Sequence, residues 1–211
     1  MNSHVKNDAA DQSRRPVGAI LAGGAGRRMG RPKAVVELGG RPLISYPLAA
    51  METAGLEPVV VAKRDSALPV LDCEIVREPA EPRHPLAGIV AALGACPGRP
   101  VVAVACDMPF LEPALLAAFS ALDDPLAVAE AGGRLQPLPG RYPPHLAADL
   151  KAALARELPL GETVSSLRAH VLGEAELAGF GDPKWLCFSV NDEADLAAAE
   201  RELSLRRATR S

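Results

Sequence analysis

A glycine-rich, basic segment follows the first apolar run of the chain and carries the strongest chemical signal in the sequence. The run Val17–Leu21 leads into AGGAGRRMGRPK at positions 22–33, with four glycines between positions 23 and 30. Glycines let a backbone approach an anion closely and turn its N–H groups toward it. The cationic side chains of the segment are Arg27, Arg28, Arg31 and Lys33. That much charge suits a triphosphate better than it suits a plain surface turn.

Two common phosphate-binding motifs do not fit this segment. A Walker A loop needs a Lys directly after its last Gly, but Gly30 is followed by Arg31, and Lys33 is followed by Ala34. A dinucleotide fingerprint needs a third Gly where Met29 stands, and the acid about twenty positions on, Glu52, falls inside a predicted helix. The segment therefore predicts a nucleotide-phosphate loop of another kind.

A single carboxylate marks the end of the most apolar run. Asp107 comes directly after Val101–Cys106, which has the composition of a buried strand. Mg²⁺ binds one or two carboxylates and completes its coordination with phosphates and water, so Asp107 is the candidate metal ligand. The alternative is that Asp107 only caps the turn before Pro113.

These groups need a scaffold that brings strand ends together. Short apolar runs alternate with helical patterns, which predicts an α/β fold in one domain with a doubly wound, mostly parallel sheet. Ligands bind such sheets at the carboxyl ends of the strands, where both candidate segments fall. The predicted strands are Val17–Leu21, Val59–Ala62, Glu74–Arg77, Val101–Cys106 and Leu126–Ala129, and the predicted helices between them are Pro42–Ala54, Leu86–Ala95 and Pro113–Leu122.

The last third of the chain is less regular. Residues Arg134–Tyr142 are rich in proline and predict irregular structure. Helices are predicted over His145–Glu157 and Thr163–Val171. A final helix, capped by Asn191 or Asp192, is predicted to run to about Arg206. We place the domain at residues 16–206 and expect residues 1–15 to be a disordered tail.

Composition excludes several classes of function. The 211 residues carry 23 Lys+Arg against 26 Asp+Glu, and only 3% are aromatic, so neither a basic field nor a base-stacking surface for nucleic acid is indicated. No apolar run is long enough to span a membrane, and because the first fifteen residues are polar we expect no signal peptide there. The four cysteines share no CxxC spacing, which favours reduced thiols in a cytoplasmic protein.

Several segments together resemble the signatures of nucleotidyltransferases with the MobA-like fold. The resemblance runs from about Val17 to Leu203. The matching segments are LAGG at 21–24, RRMG at 27–30, Lys33, GRPL at 40–43, PLAGI at 85–89, CDMPFL at 106–111, PL at 137–138 with GRY at 140–142, and NDEADL at 191–196. Within the family, LAGG and PLAG are most similar to the enzymes that transfer GMP from GTP to molybdopterin and release pyrophosphate.

The resemblance implies roles for particular residues. Leu21, Ala22 and Gly23 would contact guanine and ribose. Arg28 and Lys33 would hold the triphosphate. Asp107 would bind Mg²⁺ and the nucleotide, and Asn191 would orient the acceptor or a metal-bound water. The remaining nucleotide-binding positions that it implies are Gly24, Glu78 and Gly88. Proteins that insert or accept the molybdenum cofactor are the implied protein partners.

The sequence departs from the family at three places. Ala62-Lys63 stands where Asn is frequent, Glu78 where Asp is frequent, and Ser189 where a first Asn is frequent. Two transferases therefore remain as alternatives on the same fold: a cytidylyltransferase of the molybdenum cofactor, and an enzyme acting on a sugar phosphate. A non-catalytic nucleotide carrier is disfavoured by Lys33 and Asp107. A nicotinamide oxidoreductase is disfavoured by Met29.

Overall fold

The computed structural model describes residues 15–24, 29–123 and 125–210. Every strand predicted from the sequence is present, with ends that differ by up to two residues. The strands are β1 Val17–Leu21, β2 Glu37–Leu38, β3 Arg41–Pro42, β4 Glu57–Ala62, β5 Glu74–Arg77, β6 Val101–Ala105, β7 Ala127–Ala131, β8 Arg134–Tyr142 and β9 His170–Leu172.

Helices fill the connections between the strands. They are α1 Ser45–Thr53, α2 Pro85–Ala95, α3 Pro113–Ala121, α4 Ala147–Ala155, α5 Leu160–Ser166, α6 Glu174–Leu177, α7 Pro183–Leu186 and α8 Glu193–Arg210, with 3-10 turns at Lys33–Val35 and Pro144–Leu146. Pro47 lies in the first turn of α1, where its missing N–H costs little. Asp192 caps α8, since its Oδ1 accepts the Asp195 N–H at 2.9 Å. Within the described residues, no helix has the length and apolar character needed to cross a bilayer.

Seven strands form one sheet in the order β5-β4-β1-β6-β8-β7-β9, and β2 pairs with β3 separately. β1 lies parallel between β4 and β6, and β8 alone runs antiparallel to its neighbours in the large sheet. Both faces of the sheet are covered. One face packs against α1 and α3, through residues such as Met51 and Phe119, and the other against α2 and α4, through residues such as Ile89 and Leu150. The predicted doubly wound, mostly parallel sheet is confirmed.

The prediction of irregular structure over Arg134–Tyr142 is wrong, because this segment is β8. The prolines are accommodated by a bulge: Val128 pairs with Gly140 while the next residue, Ala129, pairs with Gln136. A proline, which has no N–H to donate, is tolerated where a ladder is interrupted in this way. A side chain at Gly140 would lie 2.5 Å from the Pro137 carbonyl oxygen, so the bulge requires glycine.

The helix predicted to continue to Val171 ends at Ser166. Arg168 has a positive φ of 54°, which breaks the helix. The chain then enters β9, where the His170 N–H donates to the Leu126 carbonyl at 2.7 Å and the strand pairs with β7. The sheet edge thus decides the conformation of residues that a local pattern assigns to a helix.

Candidate active site

A cleft of about 530 Å³ opens at the carboxyl edge of β1, β4, β5 and β6. The strand ends converge there because the parallel strands all finish on this edge. Backbone contacts hold the loops in register: Ala22 donates to the Val61 carbonyl at 2.8 Å, and Cys106 donates to the Leu21 carbonyl at 3.1 Å. The predicted residues that line the cleft are Leu21, Gly23, Gly24, Lys33, Glu78, Gly88, Asp107 and Asn191.

One end of the cleft holds a carboxylate, an ammonium and an amide. Lys33 Nζ donates to Asp107 Oδ2 at 2.5 Å and to Asn191 Oδ1 at 2.8 Å. Asn191 is oriented by its own Nδ2, which donates to the Ser189 carbonyl at 3.0 Å. The acidic residue closest to Lys33 in the sequence is Glu37, so the sequence alone predicts no acidic partner for the Lys33 ammonium. That prediction is wrong, because the order of the strands brings Asp107 beside it.

Asp107 has one oxygen left over. The side chain is buried, and Oδ1 has no hydrogen-bond partner among the described residues. A buried carboxylate oxygen is costly unless something binds it, and Mg²⁺ needs one or two such oxygens. No cluster of three or more His, Cys, Asp or Glu side chains occurs in the described ranges, so a metal here would share its coordination with phosphates and water. The residues fit a Mg²⁺ ion bound together with a nucleotide.

The cleft also contains a second buried carboxylate, that of Glu78, which lies against glycines. Glu78 follows β5, and its N–H donates to the Ala62 carbonyl at 3.2 Å. Its carboxylate lies against two glycines: a Cβ on Gly23 would be 1.8 Å from Glu78 Oε1, and one on Gly88 would be 3.5 Å from Oε2. Burial raises the pKa of Glu78 above its ordinary value, and the nearby Lys63 ammonium opposes that rise.

Among the predicted site residues that the structure describes, Ala22 does not line this cleft. Ala22 is buried and lines a smaller adjoining pocket of about 180 Å³. Arg28, the expected second phosphate contact, lies outside the described residues.

Sequence reasoning did not assign Lys63, Arg83, His84 or Leu138 to the site, yet all four line the cleft. Lys63 directly follows β4, so the rule that singled out Asp107 could have found it. His84 precedes Pro85, and from the sequence alone we expect it to be a loop residue. Its Nδ1 accepts the Leu86 N–H at 3.1 Å, which caps α2 at the edge of the cleft.

Cys106 lines the cleft but is not a nucleophile in this setting. Burial raises the pKa of its thiol far above the ordinary value, and the Asp107 charge beside it adds to the effect. The other cysteines are partly buried, and Cys187 has its pKa raised to about 11 by burial. The chemistry of the cleft therefore rests on charge and positioning.

An open parallel sheet whose carboxyl edge carries a glycine-rich turn, a cation and a carboxylate is a nucleotide-binding arrangement. Comparison with known proteins gives the class more closely. Residues 18–174 match the MobA-like NTP transferase domain, and the chain belongs to that family of nucleotidyltransferases.

Relatives and a solved structure agree with this membership. The chain is 38% identical over 202 residues to a molybdenum cofactor guanylyltransferase from Cereibacter sphaeroides, covering 87% of this chain and 94% of that protein. A protein of the same name from Rhizobium johnstonii is 35% identical, with 90% and 94% covered. The crystal structure of molybdopterin-guanine dinucleotide biosynthesis protein A from Archaeoglobus fulgidus superposes with a TM-score of 0.71 at 26% identity, covering 89% of this chain and 98% of that one.

Proposed function

We propose that the protein transfers GMP from GTP to molybdopterin in a Mg²⁺-dependent reaction that releases pyrophosphate. The observation that carries the proposal is that two carboxylates in one cleft have different surroundings. Asp107 is paired with Lys33 and has one oxygen without a hydrogen-bond partner among the described residues, whereas Glu78 lies against Gly23 and is paired with Lys63. The names of the relatives support both the nucleotide and the acceptor.

The triphosphate belongs at the Lys33 end of the cleft. Lys33 supplies a positive charge that can move from Asp107 to the phosphates when they bind. Arg28 is proposed as a second phosphate contact from the glycine-rich segment. Mg²⁺ held on Asp107 would neutralise charge on the phosphate oxygens. Asn191 keeps the Lys33 ammonium in place through its Oδ1.

The transfer itself needs no protein nucleophile. A terminal phosphate oxygen of the acceptor attacks the α-phosphorus of GTP, the new P–O bond forms, and the bond to the β-phosphate oxygen breaks to release pyrophosphate. A phosphate monoester is already anionic at neutral pH, so no general base is required. The residues of this chain would accelerate the step by alignment and by stabilising charge on the leaving pyrophosphate.

The base belongs at Glu78, because this carboxylate can accept hydrogen bonds from a base edge, whereas the unpartnered oxygen of Asp107 fits a metal ion that binds phosphate. Guanine presents two adjacent donors, N1–H and N2–H₂, and an ionised carboxylate has two acceptor oxygens. Cytosine and adenine present one donor beside one acceptor and cannot satisfy both oxygens. Gly23 and Gly88 accommodate the carboxylate in this position, since a Cβ on Gly23 would overlap Glu78 Oε1 and one on Gly88 would contact Oε2. Glu78 thus favours GTP over CTP and ATP.

The test is a pyrophosphate-release screen with ATP, CTP, GTP and UTP, each with Mg²⁺ and with molybdopterin, a sugar phosphate or no acceptor. We expect release only with GTP and molybdopterin together, and its loss when EDTA removes the metal. Release with CTP as the main substrate would establish the cytidylyltransferase alternative. Release with a sugar phosphate but not with molybdopterin would overturn the acceptor assignment. Pull-down of proteins that insert the molybdenum cofactor would test the implied protein contacts.

A further inference from the structure

Lys63 is a buried lysine to which the proposed transfer reaction assigns no role. It follows β4, and only 3% of it is exposed. Its backbone is fixed on both sides: its N–H donates to Ser66 Oγ at 3.2 Å, and its carbonyl accepts from Arg77 Nη1 at 2.8 Å. Its ammonium donates to the Pro79 carbonyl at 2.7 Å and lies 3.7 Å from Glu78 Oε1.

Stability alone gives a weak reason for this pair. Removing two charges from water costs free energy that their attraction often fails to recover, and apolar replacements of buried pairs are frequently neutral or stabilising. Both residues of the Lys63–Glu78 pair also line the cleft. Its position points to a role in what the cleft binds.

The charge state of Glu78 decides which base edge it can pair with. An ionised carboxylate only accepts hydrogen bonds, whereas a protonated one offers one O–H donor and one acceptor. Guanine has two adjacent donors and matches the ionised form. Adenine and cytosine have a donor beside an acceptor and match the protonated form. Loss of the charge would therefore weaken guanine binding and strengthen binding of the other two bases.

We propose that Lys63 is a positioning residue for nucleotide choice, which holds the Glu78 carboxylate ionised and aimed at the base and so makes the cleft select guanine. The inference rests on the proposed guanylyl transfer. Among the described residues, Glu78 lies against Gly23, which follows β1, against Gly88 of α2, and near Lys63, which follows β4. Of these three neighbours only Lys63 is charged.

The burial of Glu78 supports the role proposed for Lys63. The buried site raises the pKa of Glu78, and Lys63 is the described group that opposes the rise. The hydrogen bond to the Pro79 carbonyl holds the ammonium beside Glu78. A lysine side chain free to turn toward solvent could not do this reliably.

The experiment measures equilibrium binding of GTP, ATP and CTP with Mg²⁺ by calorimetry at about pH 6.5, in the full-length wild type and in variants. Lys63→Met keeps the length of the side chain and removes its charge. Glu78→Gln mimics the protonated carboxyl permanently. Lys151→Met is the matched control, because it makes the same change at an exposed position on α4. Melting temperatures are recorded for every variant.

We expect the preference for GTP over ATP to fall by about tenfold or more in Lys63→Met, since hydrogen bonds to a charged group are lost. Glu78→Gln should show the same fall, and the double variant should show no further fall. Lys151→Met should match the wild type. If Lys63→Met does not fold, Lys63→Gln decides, because it retains an N–H donor for Pro79 but carries no charge.

A lower melting temperature with an unchanged ratio of GTP to ATP affinity would show that Lys63 is merely structural and would overturn the inference. A further fall in the double variant would also overturn it, because Lys63 would then act independently of Glu78. A wild type that binds no nucleotide would overturn the proposed function as well. If the wild type prefers GTP and Lys63→Met keeps the same preference, only the inference about Lys63 fails and the proposed function stands. The two failures are therefore distinguishable.

Discussion

Replacing Gly23 with Ala tests how the cleft chooses its base. The new Cβ would lie 1.8 Å from Glu78 Oε1 and 3.0 Å from its Cδ. Ordinary van der Waals contact begins at 3.4 Å, so the oxygen would have to retreat by about 1.6 Å. From the sequence alone, a methyl group at Gly23 is expected to crowd guanine itself, because Gly23 has no Cβ. The structure places Glu78 against the methyl group, and the effect on guanine follows from the displaced carboxylate.

The size of the effect follows from that displacement. A misplacement of about 1 Å in a binding group can cost about 100-fold in rate, which is about 2.7 kcal/mol. We expect Gly23→Ala to lower kcat/KM for GTP by about 100-fold. CTP, which cannot use both Glu78 oxygens, should lose less than about tenfold. Crowding of a packed site should lower the free energy of unfolding by about 1–3 kcal/mol.

The assay is competition between equal GTP and CTP, with the nucleotide adduct of molybdopterin identified by mass spectrometry. Gly94→Ala is the control, because it makes the same change in α2 at a position where a Cβ meets nothing within 4 Å. Equal loss with GTP and CTP in Gly23→Ala would refute the reasoning, since the methyl group would then act on the whole cleft. A CMP adduct as the main wild-type product would refute the guanine assignment itself.

Three further predictions concern the charged groups. Asp107→Asn should abolish pyrophosphate release while circular dichroism remains native; activity within about tenfold of wild type would remove Asp107 from the metal role. Lys33→Ala should impair turnover. It should also lower the free energy of unfolding by about 3 kcal/mol in urea titrations, because it leaves the buried Asp107 charge without its partner. The double variant Lys33→Ala, Asp107→Asn should recover that stability, and failure to recover it would contradict the pairing argument. Guanosine, which has no titrating phosphate, should bind more weakly as pH falls. Because the pKa of Glu78 is raised, the loss should begin at a higher pH than for an ordinary carboxyl group. The same pH profile in Glu78→Gln, measured by calorimetry, would contradict this assignment.

The sequence by itself determined the layout of the fold and the edge that carries the chemistry. Apolar runs such as Val17–Leu21 and Val101–Cys106 can be recognised locally, because a strand buried on both faces needs continuous apolar residues. A polar residue directly after such a run must lie at the carboxyl edge of a parallel sheet. That rule is sufficient to place Asp107, and the glycines after β1, at one cleft.

The tertiary structure alone decided which charges meet. Lys33, Asp107 and Asn191 are far apart in the chain and come together because β1 and β6 are neighbours and α8 begins beside them. The Lys63–Glu78 pair depends in the same way on the adjacency of β4 and β5. Strand order is set by packing of the whole domain, and no local spacing encodes it. The proline-rich β8 was missed for the same reason: its extended form is imposed by β6 and β7 on either side, against its own turn-forming composition.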